Sequence, residues 1–314
     1  MRLTVATTTR DRRESVLRAL ESVAPQLESG DELIVVDNGS IDGTEAAVRS
    51  WIRSHCPRAR LIVEPNGGTS QARNTAVAAS SASIVCFLDD DATADPGWLA
   101  AMRETWERAS PQTAVIGGPI RPDWHGGERP PWLRDHLLWI VTALDLGLAP
   151  HRLDRYRIWG ANMSLRIDAV RKLGGFDVTL GPRPGVAFGR DEEEDLQDRL
   201  QACGFEIWWE PEASVHHHLS AARLEPAYFQ SFMRNQARRH ASEGNITARR
   251  AAYRSARTAA RCLLAELLCD APMRTAARIN HSYWTSAVRA CLRPTIDGGV
   301  ATRAAKRRSA LTDL

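Results

Sequence analysis

The chain predicts an α/β fold, a mostly parallel sheet wrapped by helices, with a helical C-terminal extension. Three observations carry this expectation. Short apolar runs alternate with helical patterns from the start to about residue 118. Asp37-Asn38-Gly39-Ser40 and Asp89-Asp90-Asp91 follow apolar runs, at the strand ends where open α/β sheets gather their ligands. Beyond about residue 220 the sequence turns Arg- and Ala-rich with helical spacing.

Leu3 to Ala6, Leu33 to Val36, Leu61 to Val63 and Ile84 to Leu88 read as strands, with a further one at Ala114 to Ile116. Between the first two, Val16, Leu17, Leu20, Val23, Ala24 and Leu27 recur with helical spacing, so one face of that helix packs on the sheet. Further helices are expected at 43–54, 69–82 and 95–109. Residues 121–136 and 181–189 hold too much Pro and Gly for regular elements and read as binding loops or lids.

Composition bounds the rest. The 314 residues are 43% hydrophobic and 25% charged, enough to bury a full core and unlike a disordered or collagenous chain. No signal core follows Met1, and no run reaches the ~18 apolar residues that span a bilayer, so a cytoplasmic location is expected. Six cysteines without a C-x-x-C pair argue against a zinc knuckle and a disulfide scaffold. Net charge is −8 up to Leu219 and +11 after it, so the two parts have different work or different partners.

Three consecutive carboxylates after a buried strand are costly unless a cation neutralises them. Along an extended backbone Asp89 and Asp91 share one side, two oxygen ligands for a hard divalent metal that borrows further oxygens from a diphosphate. A solvated strand end is the plain alternative. In the second cluster of carboxylates, Asp191 to Asp195, Glu192 and Glu193 fall roughly 50° to either side of the apolar stripe of Leu196, Leu200 and Cys203. Two carboxylates are thus aimed inward, where repulsion raises at least one pKa and suits it to general-base work. Acidic residues also favour any helix N-terminus, but that explains a pair better than five in a row. In Val215-His216-His217-His218, an extended run turns His217 to the side of Val215, one imidazole for the site. Imidazole beside two aspartates admits Mn2+ as well as Mg2+.

These pieces, in this order, resemble the inverting glycosyltransferases of family 2, whose fold is the nucleotide-sugar-binding GT-A domain. The resemblance covers roughly residues 1–240. Thr9-Arg10-Asp11-Arg12 looks like the family's T-Y-N-R, and Val35 to Thr44 matches V-V-D-N-G-S-x-D-G-T. Asn66-Gly67-Gly68 with Ala72-Arg73-Asn74 matches N-x-G and A-R-N, and Asp89-Asp90-Asp91 matches the metal-binding D-x-D. Gly160 to Arg166 and Gly174 to Asp177 resemble the acceptor-side G-x-N-M-x-x-R and G-G-F-D. The catalytic E-D-x-D-L is similar to Glu192-Glu193-Glu194-Asp195-Leu196, with glutamate at Glu193 in place of the base aspartate.

The resemblance implies transfer of a sugar from a nucleoside diphosphate sugar to an acceptor hydroxyl with inversion, in polysaccharide, glycolipid or natural-product glycosylation. Family frequency makes uridine the nucleoside. Implied catalytic residues are Glu193 and Glu192; Thr9, Asp37, Asn66, Arg73, Asp89 and Asp90 hold the nucleotide; Asp91, Asp89 and His217 hold Mg2+ or Mn2+. The GT-A domain then spans 1–220, with a nucleotide-binding half at 1–118 and an acceptor-side half at 119–220, and 221–314 is an Arg-rich helical region. Peripheral contact with anionic membrane is one expectation for that region. Nucleic acid is not expected, for want of a stacking platform. Two rivals stand beside this reading. A sugar nucleotidyltransferase needs a Gly-rich phosphate loop that Thr7-Thr8-Thr9-Arg10 lacks, and a non-catalytic carbohydrate-binding protein remains open.

Overall fold

The computed structural model describes residues 1–154, 156–183, 192–242 and 244–292. Most of the loop expected at 181–189, and Asp191, lie outside the described residues. The chain divides into two compact units, residues 1–123 with 142–218, and residues 124–141 with 219–314.

The first unit begins β1 (Leu3–Thr9), α1 (Arg13–Val23), β2 (Glu32–Asp37), α2 (Thr44–His55), β3 (Arg60–Val63), α3 (Thr69–Ala79) and β4 (Ile84–Leu88). It continues with β5 (Ala92–Ala94), α4 (Trp98–Arg108), β6 (Thr113–Gly117), β7 (Ile120–Asp123), β8 (His151–Arg152) and β9 (Asn162–Arg166). α5 (Ile167–Lys172), α6 (Glu192–Ala202), β10 (Glu206–Trp209) and β11 (Val215–His218) complete it. The large sheet runs β3-β2-β1-β4-β9-β6-β10-β8, and a small one β5-β11-β7. Strands β3, β2, β1 and β4 are mutually parallel. β9 runs antiparallel between β4 and β6, so the sheet is mixed beyond β4.

Burial explains these elements. β4 is buried along its whole length, the mark of a central strand covered on both faces. On α1, Val16, Ala19, Leu20 and Val23 form the buried stripe. The helix expected from residue 95 starts only at Trp98, because Gly97 takes a φ of 89°. Arg121 to Asp123, read from sequence as loop, form β7 on β11; Pro122 is tolerated there because β7 is an edge strand.

Buried polar groups fix β9. Asn162 accepts from Trp98 Nε1 at 2.9 Å and donates to the carbonyls of Pro119 (3.0 Å) and Ala213 (2.7 Å). Ser164 accepts from Trp106 Nε1 at 2.8 Å and donates to Ile116 O at 2.8 Å. Each group is fully buried and fully engaged, as burial demands.

The second unit holds a 3-10 helix at Asp135–Val141, then α7 (Pro226–Ser242), α8 (Ala248–Leu268) and α9 (Ala271–Leu292). Residues 124–141, set by the sequence in the acceptor-side half, cluster with these helices. Trp132 meets Phe229 edge-on at 4.9 Å, and Trp139 meets Phe232 at 5.3 Å. Among the described residues no helix is long and apolar enough to cross a membrane.

Candidate active site

The site lies at the carboxyl ends of β1, β2 and β4, where the chain leaves each strand for a loop. β4 ends at Leu88, and Asp89 to Asp91 form a turn in which the Ala92 N–H donates to Asp89 O at 3.1 Å. The extended alternation expected for the triplet therefore stops at Leu88. Arg12 Nη1 reaches Asp90 Oδ1 at 2.8 Å and Asp91 Oδ2 at 2.6 Å, so these two carboxylates share a partner instead of facing apart. Thr9 Oγ1 donates to Asp90 Oδ2 at 2.7 Å. Burial pushes Asp90 up to about 7 against the pull of Arg12, and raises Asp89 against the pull of Arg73. The charge of Asp90, then Asp91, raises the Arg12 guanidinium despite its partial burial.

Arg73, on α3, is the centre of the site. Its guanidinium is 3% exposed and reaches Glu193 Oε1 (2.8 Å), Glu192 Oε1 (3.0 Å) and Asp89 Oδ1 (3.3 Å). Burial opposes its charge, but Glu193, Asp89 and Glu192 together raise it above the ordinary arginine value. The rings of Phe87 and Phe176 lie 5.9 and 5.7 Å from its Cζ.

α6 delivers its carboxylates as helical spacing requires: Glu192 is buried, Glu193 is half-buried, and Glu194 is exposed. Glu193 Oε1 also accepts the Gly160 N–H at 3.2 Å. A Cβ at Gly160 would overlap Arg73 Nη2 and come within 2.6 Å of Glu193 Oε1, so only glycine lets this backbone back the pair. Burial, then the neighbouring charge of Glu193, pushes Glu192 up to about 8. Its Oε2 has no hydrogen-bond partner among the described residues.

β11 places its histidines by strand alternation. His217 is buried and its Nε2 lies 3.2 Å from Asp91 Oδ1, while His216 meets Asp95 and His218 meets Asp123. Of the three residues expected to hold metal, Asp91 and His217 come together and Asp89 is turned to Arg73. Among the described residues no three His, Cys, Asp or Glu side chains converge on one cation position. The pair fits a divalent ion that takes one carboxylate oxygen and one imidazole from protein and the rest from a diphosphate or water.

The residues expected on the nucleotide side are tied into the loops. Asp37 Oδ1 accepts from Ser40 N (3.1 Å) and Ser40 Oγ (2.5 Å). Asn38 donates to the carbonyls of Asn66 (2.7 Å) and Glu64 (3.3 Å) and accepts from Gly68 N at 2.8 Å. Asp11, at φ 52°, accepts from Ile41 N at 2.7 Å and joins the first loop to the second.

With this geometry in place, similarity to known proteins is decisive. The sequence model of glycosyl transferase family 2 matches residues 4–168, more than half of the chain. The chain belongs to glycosyl transferase family 2. It is 26% identical over 243 residues to the glucosyl-dolichyl phosphate glucuronosyltransferase of Haloferax volcanii, covering 75% of each chain. It is 32% identical over 193 residues to the pre-mycofactocin glycosyltransferase of Mycobacterium tuberculosis, covering 60% of this chain and 37% of that relative. Among solved structures, the mannosyltransferase PcManGT from Pyrobaculum calidifontis in complex with GDP-Man and Mn2+ matches 99% of this chain and 80% of its own, at TM-score 0.56 and 16% identity. GalNAc-T7 with UDP, GalNAc and Mn2+ matches 76% and 50% of the two chains at TM-score 0.55 and 14% identity. The fold is that of the GT-A glycosyltransferases, and the protein is a glycosyltransferase.

Several family 2 motifs act here as stitches. Asn74 pairs with the backbone of Phe176, accepting from its N–H at 2.8 Å and donating to its carbonyl at 2.9 Å, which binds A-R-N to G-G-F-D. Asn162, read from sequence as acceptor-side, is the buried latch of β9. Arg12 and Gly160 carry site geometry that sequence reasoning quoted within motifs without assigning roles. The signal for Arg12 was its position just after a strand ending beside the aspartate triplet.

Proposed function

We propose that the protein is an inverting, metal-dependent transferase that moves a sugar from a nucleoside diphosphate, with uridine as nucleoside, to an acceptor hydroxyl. The observation that carries this is the buried guanidinium of Arg73, which alone joins the donor-side Asp89 to the two carboxylates of α6 among the described residues. Donor and acceptor halves of such a reaction need this closeness.

In the reaction, the acceptor oxygen bonds to the anomeric carbon as the bond to the diphosphate oxygen breaks, and the hydroxyl proton passes to Glu193. Glu192, pushed up to about 8, holds a proton at neutral pH, so the negative charge of the pair stays on Glu193. Arg73 and the Gly160 N–H hold one oxygen of Glu193 in place, which fixes the carboxylate before the acceptor arrives. Thr9 and Arg12 fix the turn that carries Asp90 and Asp91. Asp91 and His217, with Asp89 close by, would hold Mg2+ or Mn2+, which when bound supplies positive charge to the departing diphosphate. The Mn2+ of the two structural neighbours makes that ion the first to test. In this reading Asp37 and Asn66 serve the nucleoside, and Arg73 also serves the nucleotide.

A lipid-linked sugar is the acceptor class we favour, on the name of the Haloferax relative. A cytoplasmic enzyme peripheral to an anionic membrane suits such an acceptor, with its cationic C-terminal region as the contact. The deciding experiment is Glu193→Gln assayed with a panel of nucleoside diphosphate sugars. Transfer is expected to fall at least about a hundredfold while donor binding by calorimetry persists. Loss of donor binding in the variant, or transfer retained at the wild-type rate, would remove Glu193 from the base role.

A further inference from the structure

Helix α8 is apolar on two opposite faces. Ala251 and Ala265 are buried, Ala251 within the small core of the second unit beside Ala237, Ile246 and Ala287. On the other side Tyr253 (65% exposed), Leu264 (55%) and Leu267 (80%) point outward, with Leu263 (67%) and Leu268 (78%) on either edge. At 100° per residue, Tyr253, Ala260, Leu264 and Leu267 fall within an arc of roughly 60°. Arg250, Arg254, Arg257 and Arg261, all exposed, run as a second band along one flank of that stripe. The helix carries a single acid, Glu266, and Arg278 already neutralises it at 2.6 Å.

Four outward leucines in the last turns of one helix form a contiguous apolar patch, which water does not favour. Its chemistry selects the occupant. A second copy packed antiparallel on this stripe would set arginine band against arginine band with no acid to separate them, and a parallel one would leave every arginine without a partner. Nucleic acid would use the arginines and gain nothing from leucines. An anionic bilayer uses both, with apolar side chains at the boundary of headgroups and acyl chains and guanidinium groups on lipid phosphates.

We propose that the outer face of α8 is a membrane-inserting surface, with Leu263, Leu264, Leu267 and Leu268 seated in an anionic bilayer and Arg250, Arg254, Arg257 and Arg261 on its phosphates. This deepens the peripheral contact proposed above: charge alone gives binding that salt abolishes, whereas insertion leaves a salt-resistant remainder.

The test is co-sedimentation of the full chain with phosphatidylcholine vesicles, with and without phosphatidylglycerol, at low and high salt. The wild type is expected to bind the anionic vesicles and to keep a fraction at high salt. The double substitution Leu267→Ser and Leu268→Ser should weaken partitioning about tenfold or more and abolish that fraction. Circular dichroism should show the helices retained, since both side chains are exposed. Leu267→Trp provides an independent readout, and its emission should shift to the blue on anionic vesicles alone. Wild-type binding that high salt removes completely, with the serine variant unchanged, overturns insertion but leaves the electrostatic contact standing. Absence of sedimentation overturns both. A dimer in light scattering that the serine variant dissolves overturns the proposal in favour of a second copy. None of these outcomes depends on the catalytic reading.

Discussion

At the scale of residues, Glu192 and Glu193 are neighbours in unlike surroundings. Glu192 has one oxygen on Arg73 and the other without a partner among the described residues, and burial pushes it up to about 8. Its ordinary value is 4.5, so between these values the folded chain holds a proton that the unfolded chain has released. Stability therefore falls as pH rises through that window, by up to about tenfold in the folding constant per pH unit, and is level on either side. Glu192→Gln should flatten the slope, as read by urea denaturation across the window, and should keep transfer near the wild-type rate because glutamine mimics the protonated acid. Helical angles alone foretold that both carboxylates turn inward. The aspartate triplet was less legible: strand periodicity holds only while the chain is extended, and it turns after Leu88. The placement of Arg12 on Asp90 and Asp91 is a tertiary contact between two strand ends, which no local pattern encodes.

At the scale of elements, the parallel half of the sheet was legible because each buried strand and its helix announce themselves by period. The direction of β9 was not, since period is blind to direction; buried hydrogen bonds from the α4 tryptophans to Asn162 and Ser164 anchor it in place. Gly160, just ahead of β9, transmits this packing to the site. Gly160→Ala should displace the Arg73 and Glu193 side chains, since a Cβ would overlap Arg73 Nη2 and crowd Glu193 Oε1 to 2.6 Å. A displacement of this size is expected to lower kcat about a hundredfold and, because Arg73 also serves the nucleotide, to raise donor KM, as steady-state kinetics would show. On the far side of the unit, the buried ion pair of Arg103 with Asp31, at 2.7 Å, is a matter of stability and not of chemistry. Arg103→Ala should cost about 3 kcal/mol in chemical denaturation, because Asp31 is left buried without its cation, while kcat holds.

At the scale of the whole molecule, charge is divided between a negative part that holds the carboxylate site and a positive C-terminal part. A site this rich in carboxylates repels a nucleoside diphosphate until cations offset it. Arg12 and Arg73 offset part of the charge within the protein, and each is already engaged by two or three carboxylates. The diphosphate and a divalent ion should therefore bind as partners, each raising the affinity for the other. Together, each at about a hundred times the dissociation constant it has with the other present, they should raise the Tm by about 5 °C, and either alone at the same concentration should raise it far less. Asp91→Ala removes the carboxylate that meets His217. In that variant the nucleotide and Mn2+ should act on Tm independently and weakly, so a synergy that survives the substitution would move the ion away from Asp91 and His217.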